Sequence, residues 1–415
     1  MVFADKYFQR FSCNIKIFNN NPRSNTGIIV VIPCYDDDFI FKTLESLEQA
    51  YSPESHVEVI VVVNSSEHTP QEIKTVNRAI YNQLLEKSKK SYYKSFLLQT
   101  HIVEDVLKKH AGVGNARKIG MDEALQRFNH LNKADGIIVS LDADTLVDKN
   151  YFVEIESHLN DDKTGLAILQ FKHDFNSSLY SEQVIEACKL YEIYLRYFRL
   201  SLKWSGFPYS IHTIGSCFAV KASEYAKAGG MSRRQGGEDF YFLHKMVVQT
   251  KLVKISKPLV FPSPRTSDRV PFGTGPAVKQ IIAGGEYKVY NFALFELLKR
   301  FFESFLATYK DTAQGLDLIP HEIINYFGEE DLKQVIEECK SNTSNEKAFI
   351  KRMFTKFDAF QIVKFLNSFE NSEKYPNKNV LISTKMLISV IDKMEIDNLV
   401  IEDIYSKILY LDCNG

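Results

Sequence analysis

No CxxC pair and no Cys/His spacing joins the six cysteines (Cys13, Cys34, Cys188, Cys217, Cys339, Cys413), which excludes a disulfide framework and a structural zinc site. They read as reduced thiols in a reducing compartment. Charge of one sign is missing too: 51 Lys and Arg face 52 Asp and Glu, a formal net charge of −1, so no overall field draws the chain to nucleic acid or to an anionic membrane. No apolar run approaches the ~18 residues of a membrane span. Residues 1–27 lack the basic stretch and apolar run of a signal peptide. Glycine (19) and proline (12) are scarce in 415 residues, which rules out collagen-like and linker-array chains. What is there is core material, with 45% hydrophobic and 13% aromatic residues. At about 150 residues per domain the length predicts two or three packed units. The expectation is a cytoplasmic protein without a nucleic-acid partner, soluble or peripheral at the inner face of the membrane.

Residues 27–33 (GIIVVIP) and 57–63 (VEVIVVV) are β-branched runs apolar on both faces, as buried parallel strands are. Between them Ile40, Leu44 and Leu47 recur at helical spacing, the crossover that a parallel pair requires. The alternation continues with a helix at 71–90, a strand at 96–102, a helix at 113–128 and a strand at 136–141. Strands at 166–171, 213–220, 252–255 and 259–261 follow, with helices at 181–204 and 239–248. From about residue 277 the pattern is helical almost throughout. The fold class expected is α/β, a mostly parallel Rossmann-like sheet flanked by helices and followed by a helical C-terminal region. The expected domains are an extension at 1–26, the α/β domain at 27–276 and the helical region at 277–415.

Two carboxylates, Asp142 and Asp144, stand just beyond the strand ending at Leu141, where ligands bind in open α/β sheets. Side chains two apart on an extended chain point the same way, so the pair suits one divalent ion bridging a diphosphate. Glu238 and Asp239 follow two glycines and open a helix, a place that favours ionised acids; simple capping is the alternative. Residues 262–275 combine turn formers with Arg265, Arg269, Gly273 and Gly275, which predicts a loop that orders over a diphosphate. His212 reads either as a structural histidine or as a neighbour of a second substrate. Tyr191, Tyr194, Leu195, Phe198 and Leu202, interrupted by Arg196, Arg199 and Lys203, form a stripe that fits a packed helix or one lying on a membrane surface.

Taken in order, Pro33-Cys34-Tyr35, Asn64-Ser65-Ser66, Gly114-Asn115-Ala116-Arg117-Lys118-Ile119-Gly120, Leu141-Asp142-Ala143-Asp144-Thr145 and Gly236-Gly237-Glu238-Asp239 resemble family 2 glycosyltransferases of the GT-A fold over about residues 27–250. The resemblance implies transfer of a hexosyl or N-acetylhexosaminyl group from a nucleotide-diphosphate sugar with Mn²⁺ or Mg²⁺. It implies Asp144 as metal ligand, with Asp142 on the ribose or the metal, and Pro33, Tyr35, Asn64 and Arg117 on the donor beside Arg265 and Arg269. Asp239 is then the general base, Glu238 binds or orients the acceptor, and His212, Gly215 and Ser216 frame the acceptor side. An Asp239 base fits inversion. Asn64 stands where the family often has an aspartate at the base, and Lys118 where an asparagine is usual. The acceptor is left open between a glycan, a lipid-linked and a small-molecule hydroxyl, and the helical region is open to homo-oligomer formation. A sugar-phosphate nucleotidyltransferase is the other enzyme reading, but the acidic Asp36-Asp37-Asp38 stands where its glycine-rich basic loop belongs. A non-catalytic nucleotide-sugar-binding or scaffold protein is the third.

Overall fold

The β-branched runs lie at the centre of a sheet because both their faces are covered: Ile28 to Ile32 and Val59 to Val63 are fully buried. The structure, a computed structural model, describes residues 2–11, 16–161, 163–175, 178–234, 236–267, 273–284, 286–393 and 399–415. Residues 1–180 and 212–276 form one compact unit, and residues 181–211 and 277–415 form a second.

In the first unit β1 (Thr26–Cys34), β2 (His56–Ser66), β3 (Phe96–Val106), β4 (Ile137–Ser140), β5 (Thr145–Val147), β6 (Thr164–Phe171), β7 (Phe218–Lys221) and β8 (Lys251–Pro262) make one sheet in the order β3-β2-β1-β4-β7-β6-β8-β5. The first four in that order run parallel, with Cys34 level with Val63 and Val31 level with Ser140. Beyond β4 the sheet turns mixed, β7 being antiparallel to both its neighbours and β5 antiparallel to β8. The expected α/β class with a parallel core is therefore present. The strand expected over 213–220 is only Phe218–Lys221, and the two short strands expected over 252–261 are one continuous strand. The unit's helices are α1 (Asp5–Phe11), α2 (Ile40–Glu48), α3 (Gln71–Lys89), α4 (Val113–His130) and α5 (Tyr151–Leu159). After α6 (Glu182–Trp204), which groups with the second unit, come α7 (Ala222–Lys227) and α8 (Glu238–Gln249). Because β1, β2 and β4 are parallel and in register, Tyr35 and Asp142 just past β1 and β4 and Asn64 near the end of β2 lie along one rim.

The second unit is helical. Its core gathers Phe301, Phe305 and Phe357, whose ring centroids lie 4.9 to 6.1 Å apart. Within it α6 packs on three helices, α9 (Phe292–Lys310), α10 (Val380–Asp392) and α11 (Ile401–Asn414). The fully buried Arg196 pairs with Glu192 at 2.6 Å and with Asp412, which also pairs with Arg199, while Tyr405 donates to Glu192 at 2.8 Å. These arginines turn inward to buried acids, whereas a helix lying on a membrane presents its cations to headgroups. Among the described residues no helix is long and apolar enough to cross a membrane.

Candidate active site

The turn after β4 departs from strand geometry, and this decides where its two aspartates go. The strand ends at Ser140, and Thr145 N donates to the Asp142 carbonyl at 3.3 Å, so Asp142 and Asp144 sit in a turn instead of an extended segment. The expected shared direction does not hold: Asp142 pairs with Arg117 at 2.6 Å, and Asp144 pairs with Arg265 at 2.9 Å.

Arg117 lies in the first turns of α4 and is 3% exposed. Its guanidinium bridges Asp142 and Glu238, joining the β4 turn to the start of α8. Glu238, 2% exposed, is thus turned to Arg117, and its carboxylate is occupied in positioning that guanidinium. Gly215 is where the chain passes this group: a Cβ there would stand 2.5 Å from Nη2 of Arg117. Gly237 precedes α8 with φ +70°, a left-handed conformation suited to glycine, and so delivers Glu238 and Asp239 together. Asp239 is pushed up to about 7, first by burial and then by the neighbouring Glu238 charge, against the opposing pull of Arg117. A carboxyl group poised near neutrality is suited to exchanging a proton.

Around the second aspartate, Nε and Nη2 of Arg265 donate to Asp144 Oδ2 at 3.2 and 2.9 Å, and Nη2 also pairs with Asp37. Sequence reasoning assigned Asp37 no role, although its place in an acidic run directly after Pro33-Cys34-Tyr35 was the available signal. The Arg265 backbone is tied by its N to Ser263 Oγ at 3.3 Å, and Ser263 in turn meets Tyr180 Oη at 2.7 Å. Arg269 lies outside the described residues.

Asn64 is buried at the end of β2, its Nδ2 donating to Gly112 O at 3.3 Å and its carbonyl receiving Asn77 Nδ2 at 3.2 Å. Asn77 Oδ1 accepts from Asp36 N at 2.8 Å, so one asparagine ties the ends of β1 and β2. Pro33 is buried within β1 opposite Val62, and Tyr35 is half-buried just past it. Of the residues expected to frame the acceptor side, His212 is buried with its ring edge-on to Phe171 at 5.1 Å, and Ser216 is buried beside Cys217. The structure therefore brings together Arg117, Asp142, Gly215, Glu238 and Asp239 in one cluster and Asp144, Arg265 and Asp37 in another. Among the described residues no three His, Cys, Asp or Glu side chains form a ready metal site.

Residues 29–224 match glycosyl transferase family 2. The chain carries a family 2 glycosyltransferase domain. The match supports a glycosyltransferase. No curated protein sequence matches the chain significantly. Among solved structures, the 1–349 portion of S. aureus TarS is 13% identical, covering 80% of this chain and 90% of that one at a TM-score of 0.39. The mannosyltransferase PcManGT from Pyrobaculum calidifontis, solved with GDP-Man and Mn2+, is 14% identical, covering 94% and 90% at 0.36. Likenesses this distant carry no argument about residues or substrate.

Proposed function

We propose that this glycosyltransferase moves a sugar from a nucleotide-diphosphate donor to an acceptor hydroxyl in one inverting displacement, with Asp239 as the base. The observation that carries the reading is the Asp239 carboxyl group, held near neutrality beside the buried Arg117–Glu238 pair at the rim where β1, β2 and β4 end. The acceptor oxygen attacks the anomeric carbon, its proton passes to the Asp239 carboxylate, and the bond from that carbon to the diphosphate oxygen breaks, releasing the nucleoside diphosphate. Glu238 and Asp142 hold Arg117 in place, and the salt bridges keep the β4 turn and the start of α8 in fixed relation during the step. The Asp144 carboxylate, partly exposed and already facing a cation, suits a divalent ion. Such an ion, when bound, supplies positive charge to the departing diphosphate.

The test is release of nucleoside diphosphate from a panel of nucleotide sugars, with and without Mn²⁺, in the presence and absence of candidate glycan and lipid-linked acceptors. The reading expects metal-dependent turnover of a donor, stimulated by an acceptor. No release from any member of the panel would contradict it.

A further inference from the structure

The turn that carries Asp142 and Asp144 is held by α2, which lies far earlier in the chain. Thr43 in α2 is fully buried, and its Oγ1 donates to the carbonyl oxygen of Ala143 at 2.7 Å. A helical threonine often turns its hydroxyl back to the carbonyl four residues before it. Here that carbonyl, Phe39 O, is 3.5 Å away, and a hydroxyl has one hydrogen to give, so the shorter contact to Ala143 takes it. Ser46, three residues on and on the same face of the helix, accepts from Val147 N at 3.3 Å and donates to Thr43 O at 2.8 Å. The crossover helix between β1 and β2 therefore grips the later chain at Ala143, before β5, and at Val147, where β5 ends.

The bond at Ala143 bears on Asp144 in particular. A peptide unit is planar, so fixing the Ala143 carbonyl fixes the plane that ends at the Asp144 Cα. The next plane is fixed too, because Ser263 N, just past β8, donates to Asp144 O at 3.1 Å. With both flanking planes held, one by α2 and one by the end of β8, the direction of the Asp144 Cα–Cβ bond is set. Ala143 is itself buried, so loss of the Thr43 hydroxyl leaves its carbonyl short of a donor and pushes the turn to shift toward another. We propose that Thr43 is a positioning residue for donor binding: its hydroxyl holds the Ala143–Asp144 peptide so that the Asp144 carboxylate is directed at the donor diphosphate. This rests on the reading of Asp144 given above. Being fully buried, Thr43 reaches the donor only through Asp144. Groups that orient a ligand-holding carboxylate contribute to affinity although they never touch the ligand.

The experiment is calorimetric titration of the nucleotide-diphosphate sugar found in the panel above, with Mn²⁺ present, into wild type, Thr43→Val, Thr43→Ser, Asp144→Asn and the Thr43→Val/Asp144→Asn double variant, each with a melting curve. Valine keeps the shape and loses the hydroxyl, and should weaken donor binding about tenfold. Serine keeps the hydroxyl and should bind donor as wild type does. In the double variant valine should add little to the loss from Asp144→Asn, since a residue that acts through Asp144 has nothing left to act through. Thr43→Ala, which lacks the hydroxyl without setting a methyl against the carbonyl, replaces valine if valine fails to fold. A Tm lowered by valine with donor binding unchanged would make Thr43 a contact for stability alone and overturn the inference. Equal losses for valine and serine, or losses for valine and Asp144→Asn that add in full, would overturn it as well. In each of these cases weaker binding by Asp144→Asn leaves the reading of Asp144 standing, whereas donor binding untouched by Asp144→Asn overturns both.

Discussion

Asp239 carries a raised pKa because burial and the adjacent Glu238 charge penalise its ionised form. The fold therefore holds its proton more tightly than the unfolded chain, whose carboxyl has the ordinary value of 3.8. Its stabilising contribution is complete below that value and is lost as pH rises to about 7. Asp239→Asn should gain stability relative to wild type across that window, with the gap levelling off above it, readable as a difference in Tm that widens with pH. Turnover in the wild type should fall below about pH 7 as the base is protonated. In the variant it should drop by about 10²-fold or more. A pH-independent Tm gap with normal turnover would make Asp239 an ordinary helix-start acid. Gly215 offers a second test at this scale. Gly215→Ala puts a Cβ 2.5 Å from a guanidinium pinned by two carboxylates, so it should cost about 1–3 kcal/mol of stability and depress turnover. Glycine-like behaviour of the alanine variant in both assays would show that Arg117 is free to shift.

At the scale of elements, α4 bears the site on one side and a buried polar network on another. One residue after Arg117, Lys118 pairs with Asp122 at 2.9 Å. Asp122 also accepts from Tyr7 of α1 at 2.6 Å and from Tyr225 of α7 at 2.8 Å. Asp122→Ala leaves a buried ammonium unpaired and should cost about 3–5 kcal/mol in chemical denaturation. Asp122→Asn, which keeps acceptor capacity, should cost less, and equal losses would show that the charge is irrelevant. This brace also shows what could be read beforehand. The strands of the parallel core were legible because Ile28 to Ile32 and Val59 to Val63 are apolar on both faces. The three-residue β5 was not, because so short a segment carries no periodicity. The order of motifs exposed Asp142, Asp144, Glu238 and Asp239, but their partners were hidden. Arg117 meets Glu238 across 121 positions and Arg265 meets Asp37 across 228, and no local pattern encodes such pairings. The divergence of Asp142 and Asp144 was illegible for a different reason, since period-two alternation applies only while the strand continues.

For the whole molecule the consequential fact is the order in which the chain visits its two units. Residues 181–211 belong to the helical unit although they lie between β6 and β7 of the sheet. Truncation after residue 276 therefore leaves α6 behind without α9, α10 and α11, exposing Arg196, Tyr197 and Leu200, which are otherwise buried. That truncation should be poorly soluble or aggregate on light scattering, whereas the same truncation with residues 181–211 replaced by a short flexible linker should be better behaved. Equal solubility of the two would mean that α6 needs none of its helical neighbours.

The central claim is a nucleotide-sugar site built around Asp144, and calorimetric titration of a nucleotide-diphosphate sugar into the 415-residue chain, with and without Mn²⁺, tests it most directly. Wild type should bind one donor per chain in the presence of the ion and far more weakly without it. Asp144→Asn should lose that dependence, while Asp239→Asn should bind as wild type does. Donor binding that ignores Mn²⁺ and is unchanged in Asp144→Asn would contradict the account.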